Sequence, residues 1–537
     1  MTVTETQAPP AATTTAPALE PPRPATGLAA VLGTGEHHTI GRLWIFTSFA
    51  YLLVAGVAGA LVGVEKVDTD GLGDVLGADV FGETLSLHGV TGTFLFLLPL
   101  FIGLGIHVVP AQVGSATVAF PRAAAAAYWT YLLAGAVLIA SFVADGGPFG
   151  ADSRFVELFV ASFIAVLLAL VLGTICVATT AVALRTHGMG LHRTPLFAWS
   201  SLVTGALVVL QLPVLAGLML LVYVDHRYGP TFLGGSEGVL DRIAWAWSQP
   251  SVYLFAIPVL GIIGDIVPVS ARTRLSKHRI AQGAIGAFAA LAFGAWAMPG
   301  FGSDGAAPLL HVGDVPFYAF SILILFPALA FAGLLGDTVR RGSLQVTSPL
   351  LWGIASLLML LTGILNGILV AIEPFDLIQT TAQTAQIHYV LVASLLGFFA
   401  GLAHWAPRVL GTPVMEVASK GLAALGLLGT VLLCLPDVIS GFLDQAWRLQ
   451  GVGGDEVDAV EALNIASIAG GVLLVLVAVA FVGIVLKAAA APDHVGDDPW
   501  EGNTLEWATA DATPAITSEA PVYDARHGAG PSTTEAK

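Results

Sequence analysis

A chain of 537 residues with 56% hydrophobic and 11% charged side chains, and a mean hydropathy of +0.83, lies outside the range of soluble domains and reads as a polytopic membrane protein. The net charge of −16 argues against nucleic-acid binding, because the acidic residues collect in loops and tails and form no basic face. The two cysteines, Cys176 and Cys434, both lie in apolar runs, which excludes a disulfide framework and a CxxC metal site.

Residues 1–35 are rich in Ala, Thr and Pro and are expected to form a disordered cytoplasmic tail. They contain no apolar core of a signal peptide. Residues 36–489 hold twelve apolar segments of spanning length, near 43–65, 86–112, 124–144, 157–184, 196–225, 240–267, 279–300, 315–337, 348–371, 383–411, 418–441 and 462–489. A bilayer leaves no partner for free backbone groups, so these segments should be helices, and the fold class is an all-α twelve-helix membrane bundle. Residues 490–537 are polar again and read as a second cytoplasmic tail.

The loops alternate in charge. Of the 21 Lys and Arg residues, five (Lys66, Arg154, Arg227, Arg242 and Arg448) fall on the loops opposite the tails and the other 16 on the tail side. The positive-inside rule then places both termini in the cytoplasm and the chain in the cell membrane as a multi-pass protein.

Two histidines follow from this topology. His88, in Leu85-Ser-Leu-His-Gly-Val-Thr-Gly-Thr-Phe94, opens segment two. His388, in Thr384-Ala-Gln-Ile-His-Tyr-Val-Leu391, opens segment ten. Both follow outer loops and sit at similar depth. An imidazole at membrane depth is costly and usually has a partner or a function. Two at equal depth on different helices can clamp a haem iron from either side. The alternative for each is a hydrogen-bonded packing residue. His107, His311 and His404 are expected in loop, interface or packing roles, and Asp437 near water at a helix end, with a proton site as the alternative.

Longer motifs point the same way. Trp245-Ala-Trp-Ser-Gln-Pro-Ser-Val-Tyr-Leu-Phe255, Gly41-Arg-Leu-Trp44, Val113-Gly-Ser-Ala-Thr-Val-Ala-Phe-Pro-Arg122, Arg193-Thr-Pro-Leu-Phe-Ala-Trp199, Leu212-Pro-Val-Leu-Ala-Gly217, His404-Trp405 and Asp498-Pro-Trp-Glu-Gly-Asn-Thr-Leu-Glu-Trp507 together resemble cytochrome c oxidase subunit I of the haem–copper oxidase family, over residues 37–510. The resemblance implies twelve helices and places His88 and His388 on the axial ligands of the family's low-spin haem.

The same resemblance marks losses. The family's oxygen site takes four imidazoles. At those positions this chain has Gln249, Met298, Pro299 and Gln386, while Tyr253 keeps the place of the redox tyrosine. Carboxamides are poor ligands for copper or haem iron beside imidazole. Gln386 lies two residues before His388, roughly 200° round the helix, and should face away from the retained haem. The family's proton-delivery acids fall on Thr117 and Ser251, residues 315–337 contain no Lys, and Gln379 takes the place of an Asp near the family's magnesium site. The arginine pair that holds haem propionates falls near Leu443-Asp-Gln445, with Arg448 as a substitute contact. The first-helix Arg near the haem formyl falls on Gly63, which implies a b-type haem.

The sequence therefore predicts a membrane haem protein that carries or senses electrons through one low-spin haem, with no copper and without an intact O2-reducing centre. Other respiratory-chain subunits, lipid, and a quinone or cytochrome redox partner would accompany it. The space left by the second haem, lined by Gln249, Gln386 and Tyr253, is expected to be open to a ligand such as a quinone. The competing readings are an active terminal oxidase subunit and a haem-free structural or assembly homologue.

Overall fold

The computed structural model describes residues 27–67, 76, 78–148, 150–229, 251–292, 315–446, 457–491, 498–502 and 504–507. Residues Met1–Thr34 form one unit, in which Leu28–Leu32 is a short helix, and Gly35–Lys537 form a second. Among the described residues the second unit is helical, with a single isolated bridge between Thr380 and Ala446. We number its helices α1 (His37–Glu65), α2 (Ala78–Val113), α3 (Pro121–Val143), α4 (Ser153–Ala183), α5 (Leu196–Tyr228), α6 (Val252–Ser270), α7 (His278–Ala292), α8 (Val315–Arg341), α9 (Ser348–Ala371), α10 (Thr381–Val409), α11 (Glu416–Gly441) and α12 (Val457–Ala489).

Eleven of these are long and apolar enough to cross a membrane. The remaining one, α7, stands where the seventh segment was expected and is described over 15 residues. Several helices begin at polar caps that a hydropathy reading passes over. Glu36 caps α1 by accepting from the amides of His38 and Thr39, Asp152 caps α4 and Thr347 caps α9, each filling donors that the first turn leaves open.

Helices pack as sequential antiparallel neighbours, α3 on α4, α4 on α5, α9 on α10 and α11 on α12. Close approach is bought with glycine. A Cβ on Gly397 of α10 would lie 2.3 Å from Val259 Cγ1 of α6 and 2.9 Å from Ser356 Oγ of α9. The buried core includes large aromatics, with Trp44, Tyr131, Trp352, Phe398 and Trp405 almost fully enclosed.

Helix α2 is not uniform. Its segment Thr91–Leu97 is a π-helix between α-helical Ala78–Val90 and Leu98–Val113. The wider turn begins three residues after His88 and changes the rotational register of everything beyond it; such insertions are frequent at functional sites.

Candidate functional site

His88 and His388 meet across a cavity. Their ring centroids are 6.2 Å apart, with the ring planes at 62°. His88 Nδ1 is 2.8 Å from the Ala55 carbonyl of α1. A carbonyl only accepts, so Nδ1 carries the hydrogen and Nε2 keeps its lone pair, the arrangement that prepares an imidazole as a metal ligand. His388 Nδ1 is buried without a hydrogen-bond partner among the described residues. A metal held by one nitrogen from each ring, at about 2 Å per bond with each ring centre about 1 Å further back, needs centroids about 6 Å apart. The two rings meet that spacing.

Room for the His88 ring comes from Gly59. A Cβ there would lie 2.6 Å from both His88 Cε1 and Nδ1. Gly56, Gly59 and Gly63 are spaced three and four apart, so they share one face of α1, and all three line the cavity. The cavity measures about 1790 Å3 and also receives Phe96, Leu391 and Val475. That exceeds the roughly 300–1,000 Å3 of common small-ligand pockets and suits a macrocycle. A first-helix side chain of any length at Gly63 would strike Ile468, whose Cγ1 stands 3.1 Å from the position of a Cβ.

The positions read as a vacated oxygen site are arranged differently. Gln386 is fully buried on the side of α10 away from the cavity, where its Nε2 donates to Tyr253 Oη at 3.3 Å. A Cβ on Gly367 of α9 would lie 2.7 Å from Tyr253 Oη and 2.9 Å from Gln386 Nε2. Phe288 of α7 meets the Tyr253 ring at 5.8 Å. Gln386 and Tyr253, two of the three residues expected to line the space of a second haem, are therefore in contact with each other and with the Gly367 face of α9. Gln249, Met298, Pro299 and Arg448 lie outside the described residues.

Two features escaped the sequence reading. Asp437 is not near water at a helix end. It is 2% exposed, lines the same cavity, and pairs with Lys66 at 3.5 Å. At the tail-side end, Asp265 of α6 accepts from the amides of Leu196 and Phe197 at the start of α5. Gln112 Nε2 donates to Asp265 at 2.9 Å and to Glu506 at 3.2 Å, tying two buried carboxylates together. A carboxylate inside the apolar run of α6 was the available signal. His107, also at that end, lies 3.2 Å from His38 and 3.1 Å from the Arg408 carbonyl. Glu36, His37 and His38 bring ligand atoms within 4.8 Å of one another, but both Glu36 oxygens already serve the cap of α1.

Comparison with known proteins decides the family. The model described as Cytochrome C and Quinol oxidase polypeptide I matches residues 39–473. The chain belongs to that family. A putative cytochrome c oxidase subunit 1-beta of Streptomyces avermitilis is 31% identical over 93% of this chain and 92% of its own length. Cytochrome c oxidase subunit 1 of a Synechocystis strain is 28% identical over 88% of each chain. A solved structure of a heme-copper terminal oxidase dimer superposes with a TM-score of 0.66 at 14% identity, covering 91% of this chain and 93% of that one, a likeness of fold. The chain is a divergent, all-helical membrane member of the oxidase polypeptide I family.

Proposed function

We propose that this protein carries or senses electrons through a single low-spin haem held by His88 and His388, and that it has given up O2 reduction. The observation that carries the reading is the opposed pair of imidazoles, 6.2 Å apart in a cavity of macrocycle size, one with its tautomer fixed for ligation. Haem, when bound, supplies a one-electron iron couple. The protein's part is to set the ring planes, exclude water with the apolar wall from Phe96 and Leu391, and leave a flat glycine face on α1. Gly63 at the first-helix position favours a b-type haem without a formyl group.

Gln249, Met298, Pro299 and Gln386 stand where copper and a second haem would need imidazoles, which argues against an active oxidase. The buried His388 nitrogen, without a hydrogen-bond partner among the described residues, argues against a haem-free relic. We place the protein in the cell membrane with both termini cytoplasmic, beside other respiratory-chain subunits, exchanging electrons with a quinone or cytochrome partner.

The test is an optical difference spectrum and metal analysis of the purified chain, His88→Ala and His388→Ala. One low-spin haem per chain without copper, lost in both variants, is the expected result. A carbon-monoxide-binding second haem with copper would make the protein an oxidase. No haem at all would refute the proposal.

A further inference from the structure

The wall of the cavity carries a second polar feature that the two histidines do not use. Along α1, the face of Gly56, Gly59 and Gly63 continues one turn further to Lys66, so the lysine stands two helical turns beyond the notch that holds His88. Asn464 of α12 donates through Nδ2 to the Lys66 carbonyl at 2.7 Å and fixes the end of α1 there. Opposite it, α11 delivers Asp437.

This ion pair is incomplete. Lys66 Nζ and Asp437 Oδ1 are 3.5 Å apart, beyond the roughly 2.7–2.9 Å of a charge-assisted hydrogen bond. Among the described residues Asp437 Oδ1 has no hydrogen-bond partner, although the residue is 2% exposed. An ammonium group has three donors and no acceptor, and among the described residues Lys66 Nζ has this one ion pair. Two buried charges repay their desolvation only when further hydrogen bonds satisfy them. A neighbouring carboxyl group would do so. As a carboxylate it accepts from Lys66 Nζ and takes up donors that Asp437 leaves free.

A haem seated between His88 and His388 brings carboxylates of its own into this cavity. We infer that Lys66 and Asp437 form the carboxylate-binding subsite of the cavity, with Lys66 receiving a haem carboxylate and Asp437 positioning the lysine. The inference rests on the haem reading above. It assigns to Lys66 the cation role for which Arg448 was the sequence candidate. It also accounts for a lysine and an aspartate facing a cavity whose walls are otherwise largely apolar.

The charges predict shifts of opposite sign. Reduction adds one negative charge to the haem, so a nearby cation favours the reduced form and a nearby anion opposes it. The experiment is an equilibrium redox titration of the haem absorbance in the purified full-length chain, for wild type, Lys66→Met, Lys66→Arg and Asp437→Asn. Lys66→Met is expected to lower the midpoint potential and Asp437→Asn to raise it, while Lys66→Arg stays at the wild-type value. All should keep the low-spin spectrum. Loss of haem from Lys66→Met with retention in Lys66→Arg would support the subsite equally. Potentials unchanged in both Lys66→Met and Asp437→Asn, or moved in the same direction, would overturn it. A wild-type chain that binds no low-spin haem would refute the haem reading itself, before any variant is made.

Discussion

At the scale of the residue, the site depends on what is missing from a side chain as much as on what is present. Gly59 has no Cβ, and the His88 ring takes the space. Replacing Gly59 with Ala should force the ring away from the Ala55 carbonyl that sets its tautomer. Overpacking of this kind costs about 1–3 kcal/mol. The expected outcome is loss of haem or of its low-spin spectrum, together with a lower Tm. Gly333→Ala on α8 is the control, because a Cβ there meets nothing within 4 Å; it should leave the spectrum untouched. Equal spectra for Gly59→Ala and wild type would show that the notch is not needed. His88 and His388 were legible in the sequence because charge patterning put both at one depth. Gly59 was not, since nothing in an apolar helix marks which glycine faces a ring. Asp437 was misjudged for a related reason. Its place near a helix end suggested water, and only packing reveals that Lys66 from another helix covers it.

At the scale of the element, hydropathy located nearly every helix, because a bilayer leaves the backbone no other choice. Ends were displaced where polar residues extend a helix past its apolar stretch, as at His37–Thr39 of α1 and Ala78–Leu85 of α2. The π-helical turn Thr91–Leu97 was invisible, because no residue in Thr-Gly-Thr-Phe-Leu-Phe-Leu demands it. The close approach of α9 to Tyr253 and Gln386 at Gly367 was equally hidden. Close packing of α10 also yields a prediction of its own. Gly397→Ala places a methyl group 2.3 Å from Val259 Cγ1, with α6 and α9 both in the way. Destabilisation of about 1–3 kcal/mol is expected. His388 lies more than two turns away, so protein that survives should keep its haem spectrum. Thermal unfolding followed by haem absorbance separates the two effects. An unchanged Tm would mean that α6 and α10 slide apart easily.

At the scale of the whole molecule, the end of the bundle away from the cavity is closed by the chain's own C-terminal segment. Trp500 Nε1 donates to the His404 carbonyl at 2.8 Å, Trp507 is fully buried, and Glu506 reaches Gln112 beside Asp265. Residues 490–537 read as a polar tail because their average composition is polar, but two tryptophans and a leucine anchor part of it. Burial raises the Glu506 carboxyl above the ordinary value of 4.5, with the Gln112 hydrogen bond opposing the shift. A raised acid pKa in the folded state means that the folded chain holds the proton where the unfolded chain has lost it. The docked segment is therefore fully stable below 4.5 and loses stability as pH rises from there through the folded value. Glu506→Gln keeps the shape and one acceptor and cannot ionise. Its Tm should fall less than that of wild type between pH 5 and 8, so that the difference between the two widens towards alkaline pH. Parallel curves would mean that Glu506 stays ionised in the fold. The haem spectrum should not change with either variant or pH step, because the two histidines sit at the other end of α2 and α10.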